Sequence, residues 1–231
     1  MESELKFILK DDIDFMEIMN EPIILDHLLL TGNMSYAMRS SYFDTENQLL
    51  RQRKGFLRIR RSNERFYLTL KLPNHNNNMY DDAGIFERQE WEFELNDEEQ
   101  YWDMKTGINT TWFLNRMLIG AEYRESSDPD LIQILRVIEG RPLYEVCLAD
   151  YTRTSYAYSY RSSRFELCFD EGYLGTAEYV KQFSEIELEL LTGNREDLFY
   201  LKHDFLTQLP VISATKSKYD QAIEIADLYS R

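Results

Sequence analysis

Thiol and imidazole side chains are scarce in this chain: its 231 residues include two cysteines, Cys147 and Cys168, and three histidines, His27, His75 and His203. No CxxC pair and no recurrent His/Cys spacing is present, which excludes a disulfide framework and a zinc site built on soft ligands. A reduced, cytoplasmic setting is the expectation. No apolar stretch approaches the roughly 20 residues of a membrane helix, and IILDHLLL is among the longest. The opening MESELKF has neither a basic start nor a long apolar segment, so no secretory signal is expected. GxxxxGK[ST], GxSxG and HExxH are all missing, which excludes a P-loop, a nucleophile elbow and a zincin helix, and each histidine reads as structural or exposed. Basic residues are in deficit, 26 against 41 acidic, for a net charge of −15. Such a surface repels nucleic acid and anionic lipid, so neither is an expected partner, and an anionic ligand must find a local basic site.

What is present is a foldable core. Hydrophobic residues make up 43%, with 16 Tyr and 13 Phe, and the length suits one domain spanning residues 1–231. Alternation with period two predicts strands over about 2–10, 36–45, 55–62, 65–72, 84–95, 143–160, 163–170 and 177–191. DIDFMEIMNEPIILDHLLL reads as helical pieces broken by Pro22, and PNHNNNMYDDAG as a polar loop. Helical spacing over about 96–140, opened by an Asn96/Glu99 capping box and with Asp128 before Pro129 at a second helix start, reads as an insertion whose Trp102 and Trp112 cover strand faces. Two further helices are predicted in TGNREDLFYLKHDFLTQL and ATKSKYDQAIEIADLYS.

The polar faces of the strands are sorted by sign. Residues two apart share a strand face, so Glu2, Glu4 and Lys6 oppose Leu5 and Phe7, and Arg58 and Arg60 oppose Leu57 and Ile59. Thr69 and Lys71 share a face, as do Arg88, Glu90, Glu92 and Glu94, then Glu166, Cys168 and Asp170, then Glu185, Glu187 and Glu189. Any one of these is an ordinary solvated face. Solvated faces mix their signs with Ser and Thr, however, whereas these rows are mostly acidic or mostly basic, which implies a shared ligand.

Carboxylates two residues apart lie about 7 Å from each other and repel by roughly 0.6 kcal/mol in water, or about four times that at an effective dielectric near 20. In an enclosed site such a row needs a cation. Oxygen donors without His or Cys suit Mg²⁺ or Mn²⁺, while Arg and Lys rows suit phosphate oxygens. A polyphosphate chain with its metal needs both walls at once.

These residues resemble a known family, the CYTH domains or triphosphate tunnel metalloenzymes. ExExK is matched by Glu2, Glu4 and Lys6, and the likeness continues through YFDT at 42–45, LRIR at 57–60, TLK at 69–71, RQEWE at 88–92, the Arg153 of YTRTSY, LCFDEG at 167–172, SEIELELLTG at 184–193 and the Ser217–Lys218 pair. The resemblance implies an α+β, mainly β fold: a closed antiparallel barrel of about eight strands with a tunnel through it and helices packed outside. It implies metal-binding carboxylates at Glu2, Glu4, Glu90, Glu92, Asp170, Glu185, Glu187 and Glu189, and phosphate-holding cations at Lys6, Arg58, Arg60, Lys71, Arg153 and Lys218. Glu2, Glu4, Lys6 and Glu187 stand as the catalytic set. Whether Arg39 or Arg88 also contacts substrate stays open.

The implied activity is metal-dependent hydrolysis of a triphosphate, with inorganic tripolyphosphate as the simplest substrate, carried out by a monomer or homodimer. Relatives that are class IV adenylyl cyclases or thiamine triphosphatases give an alternative. A non-catalytic polyphosphate- or nucleotide-binding module gives another, against which the full carboxylate set counts.

Overall fold

The computed structural model describes residues 2–10, 13–73, 84–96 and 129–229, with isolated positions between 99 and 116. The Asn-rich loop, Trp102, His75, Asp128 and most of the segment expected as a helical insertion lie outside the described residues. Within the segment, Asn96 and Glu99 form the reciprocal backbone–side-chain bonds of a capping box, each 2.9 Å.

Among the described residues nine strands form one antiparallel sheet: β1 (Glu2–Leu9), β2 (Leu28–Thr45), β3 (Phe56–Ser62), β4 (Arg65–Pro73), β5 (Ile85–Leu95), β6 (Leu143–Tyr160), β7 (Ser163–Gly175), β8 (Val180–Thr192) and β9 (Val211–Ser213). Their order is β5-β4-β3-β2-β6-β7-β8-β1-β9, and a further β1–β5 pairing closes the first eight into a barrel. One edge of β1 carries β8, while the other takes β5 along Glu2–Leu5 and β9 along Phe7–Leu9. Gly84 sits at that handover with φ +93°, its carbonyl accepting from Lys6 N, where a Cβ would come 2.9 Å from Ser213. Only glycine adopts this left-handed geometry without strain.

Three readings differ from the sequence expectation. β2 begins at Leu28, well before residue 36, because β6 is an 18-residue strand and the two pair along almost their whole lengths. The helical reading of the preceding segment shrinks to α1 (Phe15–Met19), capped by Asp14, and α2 (Pro22–Leu25). β9 was not anticipated, since three residues carry too little periodicity to be read.

The barrel's apolar faces point outward. Leu5, Phe7, Leu167, Ile186 and Leu188 pack beneath α1, α2 and α4 (Glu196–Gln208), with Leu198, Leu201 and Phe205 supplying the covering layer. Leu57, Leu68 and Leu70 pack beneath α3 (Pro129–Ile138) through Leu131, Leu135 and Ile138, joined by Phe113. Burying each such side chain contributes roughly 1.5–3 kcal/mol, and Leu188→Ala in the first layer would cost about 2–5 kcal/mol. Because the helices satisfy the outer faces, the inner face is left to polar residues. At one end α5 (Lys218–Tyr229) lays Tyr219, Ala222 and Ile223 onto inward-facing Met38, Tyr42, Phe56, Ala149, Tyr151 and Phe183, so the expected through-tunnel is filled by a helix at that end. Among the described residues no helix is long and apolar enough to cross a membrane.

Candidate functional site

The register places acids beside bases across neighbouring strands. Lys6 on β1 is paired with Glu187 on β8, and Glu4 with Glu189. Asp170 on β7 lies between Glu185 of β8 and Arg153 of β6. On the opposite wall Arg58 of β3 faces Thr69 of β4, which faces Glu92 of β5, and Lys71 faces Glu90. Since the side-chain period is two, one correct register aligns every inward charge of a strand.

Glu2, Glu4, Lys6, Arg58, Arg60, Lys71, Arg88, Glu90, Glu92, Arg153, Glu187, Glu189 and Lys218 all line one cavity of about 260 Å³ inside the barrel. Its closed end is formed by Tyr42, Phe56, Tyr151 and Tyr219. The Phe56 ring stands 5.4 Å from Tyr42 and 4.9 Å from Tyr219, so these rings fill the floor by packing on one another.

Asp170 and Glu185 do not reach the cavity lining. Both side chains are buried, at 0% and 1% exposure, behind Lys218, whose Nζ donates to Glu185 and Glu187 at 2.7 Å and lies 2.8 Å from Asp170. Arg153 chelates Asp170 through Nε at 2.8 Å and NH2 at 2.6 Å and also donates to Glu187. Gln221 Nε2 donates to Glu185 at 2.5 Å. These two acids, expected as metal ligands, sit here as counterions that fix Arg153 and Lys218. Cys168, on the same inward row of β7, is buried and packed between them and Glu166, and His27 bonds the Ser159 carbonyl between two tyrosine rings.

Glu187 collects Lys6 at 2.5 Å, Lys218 and Arg153. Burial pushes its carboxyl up, but the three cations outweigh burial and hold it well below the usual carboxylate range. Burial likewise pulls Lys6 down, yet Glu187 and Glu4 raise it on balance, so the ammonium stays charged.

Toward the mouth the balance reverses. Glu4 is raised by burial, and although Lys6 at 3.1 Å lowers it, Glu2 and Glu187 raise it again. Glu189 is pushed up to about 7, first by burial and then by the carboxylates of Glu2, Glu4 and Glu90. Lys71 bonds Glu2 and lies 3.3 Å from Glu90, and Arg58 and Arg60 share Glu92 at 3.2 and 3.3 Å. Among the described residues Arg58 Nε and Arg60 Nε are buried with no hydrogen-bond partner, so each guanidinium keeps a donor to offer an oxyanion.

The structure also settles where the two open residues lie. Arg39 is on the outer face of the barrel, paired with Asp150 at 3.4 Å with both side chains more than half exposed, and it plays no part in the cavity. Arg88 lines the cavity, held near the Phe56 and Phe86 rings and 3.4 Å from Asp220. Its even parity with Glu90 and Glu92 was the available signal. Thr69, which bonds Glu92 at 2.7 Å, and Gln221 were missed, because neutral side chains carry no charge pattern to follow.

For a divalent cation, the donor chemistry fits: oxygen ligands only, with the Glu2 carboxylate among the charges that raise the affinity of Glu4 and Glu189 for a positive charge. Among the described residues no three His, Cys, Asp or Glu side chains are drawn together closely enough to cage an ion. Such a wall suits an ion held by one or two carboxylates and completed by substrate oxygens and water, the usual habit of Mg²⁺.

Residues 1–219 match the CYTH domain. An inorganic triphosphatase of Haemophilus influenzae is 28% identical over 212 residues, covering 90% of this chain and 49% of that protein, so the chain spans about half the length of this relative. A Hippeastrum protein whose structure was described as that of an adenylyl cyclase candidate with dominant triphosphatase activity is similar in fold, with a TM-score of 0.61, 19% identity and coverage of 95% of this chain and 93% of that one. An adenylate cyclase candidate of Bacillus halodurans gives 0.54 and 18%, with 94% of each chain covered. A Pyrococcus horikoshii protein gives 0.52 and 18%, covering 97% and 99%.

Proposed function

The chain belongs to the CYTH domain family, and from that premise we propose that it is a divalent-metal-dependent hydrolase of triphosphates, acting most simply on inorganic tripolyphosphate to give pyrophosphate and phosphate. The single observation that carries the reading is the convergence of seven cationic side chains, Lys6, Arg58, Arg60, Lys71, Arg88, Arg153 and Lys218, with the mouth carboxylates on one cavity of about 260 Å³. The kinship to an inorganic triphosphatase supports it. The compact, charged chamber and its ring-packed floor favour a phosphate chain over a nucleoside or thiamine moiety.

In this reading Arg58 and Arg60 hold phosphate oxygens through their unpaired donors, and Lys6 and Lys71 neutralise the chain from the β1 and β4 walls. Arg153 and Lys218, locked by Asp170 and Glu185, supply fixed positive charge that needs no rearrangement when the substrate arrives. Glu2, Glu4 and Glu189 would hold the divalent cation, Mg²⁺ or Mn²⁺. Such an ion, when bound, screens phosphoryl charge and lowers the pKa of water in its shell. Water is the nucleophile, and Cys168 is buried outside the cavity lining.

The test is a release assay. Purified protein is incubated with tripolyphosphate, thiamine triphosphate or ATP, each with Mg²⁺ or Mn²⁺, and orthophosphate and cyclic AMP are measured. Metal-dependent orthophosphate from tripolyphosphate, in excess of that from the other two, is expected. Cyclic AMP from ATP would move the chain to the cyclases, preferential release from thiamine triphosphate would make it a thiamine triphosphatase, and no product from any arm would leave a binding module.

A further inference from the structure

Arg88 and Tyr219 line two chambers. On one side is the cavity already described; on the other is a second of about 300 Å³, also bordered by Arg51, Lys54, Asp220 and Glu224. Tyr219 is the fixed part of the partition, packed on Phe56 at 4.9 Å, and Arg88 is the part able to move aside: it reaches Asp220 at 3.4 Å, long for a charge-assisted bond, and otherwise lies near the Phe56 and Phe86 rings at 5.6 and 5.9 Å. Most other charges of the outer chamber are committed, Arg51 to Asp227 at 2.5 Å and Glu224 to Lys216 at 2.7 Å. Lys54 is different. It is exposed and has no acidic partner among the described residues. It holds φ 55° at the end of a one-turn 3-10 helix, and the next residue, Gly55, is wedged so that a Cβ would meet Leu72 at 2.7 Å. In a chain of net charge −15, an unpaired lysine and a loosely tethered arginine facing one chamber make a local site for an anion.

We propose that this outer chamber is a further phosphoryl subsite, reached across Arg88, which receives the phosphoryl groups beyond the third of a linear oligophosphate. The inference rests on the triphosphate reading above and extends it to longer substrates. Lys54 and Arg88 supply the recognition, and Arg88 is shared between the inner and outer phosphates. A free orthophosphate ion presents the same oxyanion chemistry, and the experiment separates the two sources.

The variant is Lys54→Asn, which removes the charge while tolerating the left-handed backbone. Values of kcat/KM are compared for tripolyphosphate and tetrapolyphosphate, the KM for tripolyphosphate is followed as orthophosphate is added, and calorimetry without divalent cation gives Kd for both oligophosphates. The expectation is that Lys54→Asn stays within twofold of the wild type on tripolyphosphate and loses about tenfold on tetrapolyphosphate, in kcat/KM and Kd alike, as for one lost charge-assisted contact. An orthophosphate effect on KM that disappears in Lys54→Asn, without a chain-length effect, would keep the subsite and assign it to the free ion. Identical behaviour of both proteins toward both chains and toward orthophosphate overturns the proposal. If no triphosphate is cleaved but the Kd for tetrapolyphosphate alone depends on Lys54, the hydrolase reading fails and the subsite stands.

Discussion

Glu187 and Glu189 stand two residues apart on the same face of β8, and the barrel holds them in opposite states. Glu187 is enclosed by three cations and kept ionised well below its usual pKa, while Glu189 faces other carboxylates and is pushed up to about 7. The first belongs to a charge-balanced block at the closed end, built on Lys218 and Arg153; the second belongs to an acid-rich mouth. Like charges of one strand are therefore not equivalent: the block gives the chamber rigidity, and the mouth holds unfavourable repulsion that a bound cation would relieve.

The largest effect is expected from breaking the block. Lys218→Ala leaves Asp170 and Glu185 buried without their shared ammonium, and a loss of about 3–5 kcal/mol is expected, read from urea unfolding. A loss below 1 kcal/mol would show that Lys218 is not what holds the closed end together.

Carboxamide substitutions sharpen the same contrast. Glu4→Gln at the mouth should lower kcat by roughly a hundredfold or more while leaving the unfolding midpoint unchanged or higher. Glu187→Gln should lower both. Equal stability of the two variants would erase the distinction drawn here.

Divalent cation should act on the mouth alone. At a hundredfold excess of Mg²⁺ over its Kd a gain of about 2.7 kcal/mol is expected, measured as a rise in melting temperature that is larger at pH 8 than at pH 5 and lost in Glu189→Gln. An equal rise in wild type and variant would place the ion elsewhere.

The acidity of Glu189 should be visible without any ligand. Its folded pKa of about 7 lies above the ordinary 4.5, so the folded chain retains a proton that the unfolded chain releases, and this group's share of stability falls as pH rises from about 4.5 through 7. Roughly 1–2 kcal/mol is expected after solvent screening. Urea midpoints from pH 4.5 to 8 should fall less steeply in Glu189→Gln, and parallel curves would refute the assignment.

The smallest effect concerns a charge outside the barrel. Arg39→Ala breaks only the exposed pair with Asp150, so stability should change by no more than about 0.5 kcal/mol and turnover should not change.

Much of this was legible beforehand because strand parity is a local property. Glu2, Glu4 and Lys6 had to share a face once the segment was a strand, and alternation with Leu5 and Phe7 said that it was. The ring of eight strands followed from the family resemblance, whereas the early start of β2 did not, because apolar LLL near its beginning suits a helix and a strand alike. For Asp170 and Glu185 the family resemblance implies a metal and parity puts both on inward rows, but parity tells which way a side chain points and not how deep it lies.

The two-faced strands and the sign of each polar row are written locally in the chain, since both depend on residues a few positions apart. Tertiary structure alone decided that the apolar faces turn outward beneath helices, that α5 fills one end, and that carboxylates on a single strand divide between counterion and open ligand. The physical reason is that a carboxylate's state is set by the charges and the solvent within a few ångströms, and for Glu187 those charges arrive from β1, β6 and α5, far away along the chain.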